Sequence, residues 1–150
     1  MSSDFQEYHS NFLIELFSEG CDLRFFEEMP VGKHRIDLGT NDYRYGIEIK
    51  SNVGDLKSGC GLNQENFAFG YVVAPLNIAC QVIGYLYMRG MENTGFIGIT
   101  NDDKYTLVKP ATMNIRSRGS DKFSVFDQIC GSADKIAHLF YEHNAIWNRE

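Results

Sequence analysis

The stretch Arg35-Ile36-Asp37-Leu38-Gly39-Thr40-Asn41-Asp42-Tyr43-Arg44-Tyr45-Gly46-Ile47-Glu48-Ile49-Lys50-Ser51 decides how this chain is read. Two runs, His34 to Leu38 and Tyr43 to Ser51, flank Gly39-Thr40-Asn41-Asp42, a dense turn signal. In the second run Ile47 and Ile49 alternate with Glu48 and Lys50, the period of a strand. Residues two apart on a strand leave it on one face, so Glu48 and Lys50 point together while Ile47 and Ile49 enter the core. Asp37, flanked by Ile36 and Leu38, faces the other way from both. Folding the strands through the turn sets Asp37 beside Glu48.

Two carboxylates and an ammonium converging at a strand end suit hydrolysis of a phosphodiester. Asp37 and Glu48 are the expected ligands of Mg2+ (or Mn2+), helped by the backbone carbonyl of Ile49, because such hard ions take oxygen donors and one or two carboxylates. Lys50 is expected to orient or deprotonate the attacking water and to offset charge developing on the phosphoryl oxygens.

Outward from this stretch, residues 4 to 19 predict an amphipathic helix. Phe5, Tyr8, Phe12 and Leu16 form its stripe, Leu13 and Phe17 widen it, and Gly20 is placed to end it. Cys21 to Val31 reads as a strand, and the polar, glycine-containing residues 52 to 66 as a loop with at most one helical turn. Phe67 to Ala74 is a near-continuous apolar run ended by Pro75, which suits a strand buried on both faces. A helix over Leu76 to Met91 follows, then a hairpin of Phe96 to Thr100 and Lys104 to Lys109 around Asn101-Asp102-Asp103. Residues 111 to 122 are polar and read as the most flexible stretch. Phe126 to Trp147 has a helical pattern with Gly131 as its weak point. This order predicts an α/β domain, a mixed sheet flanked by helices. Its core runs from about residue 4 to about 110, with a C-terminal helical extension from about 123 to 148.

The 150 residues suit one domain, and 43% hydrophobic against 23% charged is a globular balance. A net charge of −6 counts against a surface given over wholly to nucleic acid, but leaves room for a local basic groove. Lys104, Lys109, Arg116, Arg118 and Lys122 are the candidates for such a phosphate-binding lip. Cys21, Cys60, Cys80 and Cys130 are widely spaced, without CxxC, and read as reduced thiols. With four acidic residues and no cationic start before residue 20, the chain reads as unexported, and no apolar run is long enough for a membrane span. The expected location is cytoplasmic.

The spacing of Asp37, ten residues, then Glu48-Ile49-Lys50 resembles the PD-(D/E)XK nuclease superfamily, the restriction-endonuclease-like fold. Asp55-Leu56, Tyr71-Val72-Val73-Ala74-Pro75, a helix, Gly95-Phe96-Ile97-Gly98-Ile99 and Tyr105-Thr106-Leu107-Val108 continue the pattern. The order is similar to the small MmcB-like DNA-repair branch, in which a short hairpin closes the core, and it covers about residues 10 to 110 as a pattern rather than as identity. Ile36 stands where many members have Pro. The resemblance implies a Mg2+-dependent nuclease acting on DNA, and a further residue from the first helix, with Glu7, His9, Glu15 and Glu19 as candidates.

Other motifs are weaker. Ser58-Gly59-Cys60-Gly61 lacks the GxxxxGK[ST] pattern of a phosphate cradle. No His or Asn can be assigned to activate Cys60, Gln64 is a loop residue near the groove, and His9, His34, His138 and His143 form no ligand pair. Two other readings stand beside the nuclease. One is an inactive restriction-like fold that binds nucleic acid or protein. The other is a subunit of a homodimer or larger assembly, docked through Phe140, Tyr141 and Trp147.

Overall fold

The computed structural model describes residues 4–58, 66–130 and 133–142. Helix α1 (Asp4–Cys21) buries His9, Ser10, Leu13 and Phe17, while Tyr8 and Phe12 remain largely exposed, so its inner face is rotated from the expected stripe. Gly20 does not end the helix. A Cβ there would stand 2.7 Å from Leu139 Cδ1, so the glycine lets α1 approach the C-terminal helix, and Asp22 with φ 57° follows the last turn.

Strands β1 (Phe26–Val31), β2 (His34–Gly39) and β3 (Tyr45–Ile49) pair antiparallel in sequence order. Helix α2 (Val53–Ser58) forms within the expected loop because the Asn52 side chain accepts from Asp55 N–H at 2.7 Å, capping its start. Strand β4 (Phe69–Pro75) lies parallel to β3. A 3-10 turn at Leu76–Ile78 and helix α3 (Ala79–Met88) then lead to β5 (Gly95–Ile99), parallel to β4, and β6 (Tyr105–Lys109) closes the hairpin antiparallel. The sheet order is β1-β2-β3-β4-β5-β6, the mixed sheet flanked by helices that the element order predicts.

Both faces of β4 are covered. Tyr71 and Val73 join Leu13, Phe17, Ile47 and Ile49 in the larger core, whereas Val72 and Ala74 join Val82 and Leu86 of α3 in the smaller one. The C-terminal segment forms two helices, α4 (Val125–Cys130) and α5 (Lys135–Glu142), rather than one. Ile136, Leu139 and Phe140 of α5 sit in the larger core with α1. Residues 111 to 122 are held, not loose. Thr112, Asn114 and Gly119 donate backbone hydrogen bonds to Asn93, Ala68 and Asn66, and Ser117 and Ser120 are buried. The Thr112, Asn114 and Ser120 side chains and the backbone serve internal bonds, which is why polarity misreads the segment, although Ser117 Oγ is buried with no partner among the described residues. Among the described residues no helix is long and apolar enough to cross a membrane.

Candidate active site

Strand β3 runs parallel to β4, and its carboxyl end carries Glu48 and, one residue beyond the strand, Lys50. Alternation sends Ile47 and Ile49 to the α1/α5 side and Glu48 and Lys50 to the other, as predicted. The two charged residues are not a solvated strand face, since Glu48 is 7% exposed and Lys50 6%.

Asp37 lies where β2 and β3 part. The β2–β3 ladder covers Leu38↔Ile47 and Gly39↔Gly46. One residue further on, the Asp37 carboxylate takes over, its Oδ2 accepting the Ile49 N–H at 2.7 Å. The other oxygen accepts from Gln6 Nε2 of α1 at 2.6 Å, and the same amide lies 2.8 Å from Glu28 Oε2 on β1. Glu28 falls between Glu27↔Leu38 and Met29↔Ile36 in the register, opposite Asp37, and has φ 51°. A left-handed non-glycine residue inside a strand is a strained conformation of the kind that collects at functional sites. It coincides with a break in alternation: Leu38 enters the larger core, Ile36, two residues away, the smaller one.

Lys50 Nζ sits 3.3 Å from Glu48 Oε2 and 4.0 Å from Asp55 Oδ1. Asp55 is fixed by Ser51, whose backbone N–H donates to Oδ2 at 3.0 Å. Glu48 Oε1 is buried and has no hydrogen-bond partner among the described residues. Leaving a buried carboxylate oxygen unmatched costs about 1–3 kcal/mol or more. Burial, then the neighbouring Asp37 charge, pushes the Glu48 carboxyl up to about 7 against the pull of Lys50 and of the Asp37 backbone N–H. Burial likewise pushes Asp37 up to about 6, opposed by the Ile49 hydrogen bond. Both groups gain if a positive charge joins them.

The donor set fits a hard divalent ion on that ground: two buried carboxylates with raised pKa values, one with an oxygen free to bind, next to the Ile49 backbone. No group of three or more His, Cys, Asp or Glu that could hold a metal ion is gathered among the described residues, so a bound ion would rest on these two carboxylates, a number Mg2+ accepts.

The first helix contributes Gln6, not one of the four expected candidates. Glu7, Glu15 and Glu19 are exposed, and His9 is buried with Nδ1 2.6 Å from Tyr105 Oη, its pKa lowered by burial. No sequence signal marks Gln6 or Glu28, because their roles depend on where α1 crosses the sheet and on one left-handed residue.

Of the expected phosphate lip, Lys104 lies past the carboxyl end of β5, the end of the sheet that carries Lys50, but Arg116, Arg118 and Lys109 are elsewhere. Arg118 lies 4.1 Å over the Tyr43 ring, at the end of the sheet where β3 begins, and Asn114, which accepts from Arg116 N–H, is tied to Ala68 at that same end. The whole of the five-residue β3 lies between Tyr43 and Lys50, about 17 Å of strand. Lys109 is also turned to that end, donating to the carbonyls of Glu92 and Thr94. Cys60, Gln64, His143 and Trp147 lie outside the described residues. Phe140 is buried, so of the expected docking aromatics only Tyr141 is seen exposed. Compared with protein families, with characterised proteins and with solved structures, the chain finds no match.

Proposed function

We propose that this chain is a metal-dependent nuclease of the PD-(D/E)XK, restriction-endonuclease-like type, hydrolysing phosphodiester bonds in DNA in the cytoplasm. The observation that carries it is the buried, unpartnered Glu48 oxygen next to Asp37 and Lys50. Asp37, Glu48 and the Ile49 carbonyl would hold Mg2+ or Mn2+, which when bound polarises the phosphate and acidifies a water. Glu48 and Asp55 hold the Lys50 ammonium between them, where it can fix the attacking water and offset charge on the phosphoryl oxygens. Gln6 and the Ile49 N–H keep the Asp37 carboxylate from rotating.

One observation favours the inactive binding module instead. A neutral amide, Gln6, already occupies Asp37 Oδ1. Single-turnover cleavage of DNA with Mg2+ or Mn2+ decides between the readings. Lys50→Arg keeps the charge but replaces a compact ammonium with a wide, permanently protonated fork, so turnover should fall about a hundredfold or more while Mn2+ still binds. Wild-type turnover in Lys50→Arg, or no cleavage of any DNA by the wild-type chain, overturns the nuclease.

A further inference from the structure

Helices α2 and α3 leave between them a groove of about 630 Å3, lined by Val53, Leu56, Gln81, Gly84, Tyr85 and Met88, with Arg89 at its rim. We propose that this groove binds an unstacked nucleobase of the strand whose phosphate lies at Lys50. The inference rests on the nuclease reading and adds the form of its substrate.

Gly84 is the first observation. It stands inside α3, its backbone is not left-handed, and among the described residues nothing lies within 4 Å of where its Cβ would be. A glycine inside a helix lowers helix stability relative to alanine. Neither packing among the described residues nor backbone conformation requires one here. What it does is leave the helix wall bare, so that a flat ring can lie against it.

The lining chemistry is the second. The Arg89 guanidinium is 5.7 Å from the Tyr85 ring centroid, so an aromatic face and a cation stand together at the rim. Gln81, exposed on the same helix, carries both a donor and an acceptor for a base edge. Tyr85 and Met88 offer apolar contact to a π-face, and Arg89 suits a flanking phosphate. A lipid chain or an apolar peptide would leave Gln81 and Arg89 unused.

Continuity with the site is the third. Val53 and Leu56 belong to the same helix as Asp55, whose carboxylate is 4.0 Å from Lys50 Nζ. The groove therefore opens within about one helical turn, about 5 Å, of the residue that fixes the catalytic ammonium. A base reaches it only out of the stack, so single-stranded or frayed DNA should be preferred to intact duplex.

The test uses the full chain and fluorescent oligonucleotides, single-stranded or duplex, with one abasic position walked along the strand. Affinity is read by anisotropy in chelator, and cleavage separately with Mg2+ or Mn2+. Wild type should bind single strands more tightly than duplex and lose about tenfold at one abasic position, the scale of one lost stack. Gly84→Leu fills the groove and should bind the intact strand about as weakly, with no abasic dependence. Should that variant misfold, Gln81→Ala at the exposed edge should reduce the abasic effect. Wild-type affinity and an unchanged abasic profile in Gly84→Leu and Gln81→Ala overturn the groove and return it to a protein partner. Cleavage without any abasic effect sinks the groove alone, whereas an abasic effect lost in Gly84→Leu without cleavage keeps the groove and sinks the nuclease.

Discussion

Two buried carboxylate centres sit on opposite faces of this sheet, and they differ in one respect. Asp134, at the start of α5, is 5% exposed and is pushed up to about 6 by burial, against the hydrogen bond from Tyr71. Glu48 is as buried and is pushed up to about 7. Asp134 has both oxygens matched: Oδ2 accepts from Tyr71 Oη at 2.5 Å, and Oδ1 from the Ile136 and Ala137 N–H groups, capping the helix. Tyr45 Oη completes that network by donating to the Ala133 carbonyl and accepting from Lys135 N–H. Glu48 keeps one oxygen with nothing described to meet it. Burial and a raised pKa are therefore common to the two carboxylates, and the unmet oxygen is what sets Glu48 apart.

The largest expected effect tests that contrast with matched isosteres. Glu48→Gln keeps the shape and removes the charge, and single-turnover cleavage should drop about a hundredfold or more. Asp134→Asn should do the reverse. It puts a donor where Tyr71 also donates, costing about 1–3 kcal/mol in denaturant unfolding and leaving turnover intact well below the melting temperature. Turnover lost in Asp134→Asn, or retained in Glu48→Gln, breaks the comparison.

A smaller effect lies in the pH dependence of stability. Asp37 at about 6 and Glu48 at about 7 both stand above their ordinary values. The folded state thus prefers their protonated forms, and in chelator that contribution is fully present below the ordinary carboxyl range and lost as pH rises through about 7. A divalent ion favours the charged forms, so the stabilisation from Mn2+ should grow from about pH 5 to about pH 8. Melting curves with and without Mn2+ check this, and Glu48→Gln should flatten the upper part. An Mn2+ response that is absent, or equal at all pH values, makes Glu48 as structural as Asp134.

The smallest effect concerns the two ends of the sheet. Replacing Arg116 and Arg118 by Ala should leave the salt slope of DNA binding unchanged, because neither lies at the site. Loss of the Arg118 contact over Tyr43 should cost about 0.5–1 kcal/mol of stability. A slope lowered by about two ions would move the nucleic acid to the far end and away from Lys50.

Strand period and turn chemistry made Asp37, Glu48 and Lys50 readable as neighbours, because both signals are local. The buried run of β4 and the β5–β6 hairpin were legible for the same reason. Gln6 and Glu28 were not, since one depends on a helix crossing and the other on a left-handed residue that no propensity marks. Asp134 before Lys135-Ile136-Ala137 did carry a signal, an N-cap residue ahead of an apolar run. It would have split the C-terminal pattern where α5 begins. Residues 111 to 122 were misread because polarity serves an internal hydrogen-bond network as readily as solvent.

The left-handed Glu28 has a consequence beyond the site. Strand β1 is an edge of the sheet, and an edge offers a row of backbone groups to any other extended chain. Here that row carries Glu27, the kink at Glu28 and then Pro30, which has no N–H to lend. The opposite edge, β6, has Lys104 just before it and Lys109 at its end. Ribbon-like pairing of one copy's edge strand on another's is thus disfavoured at both margins, and the left-handed residue that faces Asp37 also blunts the edge on which it lies.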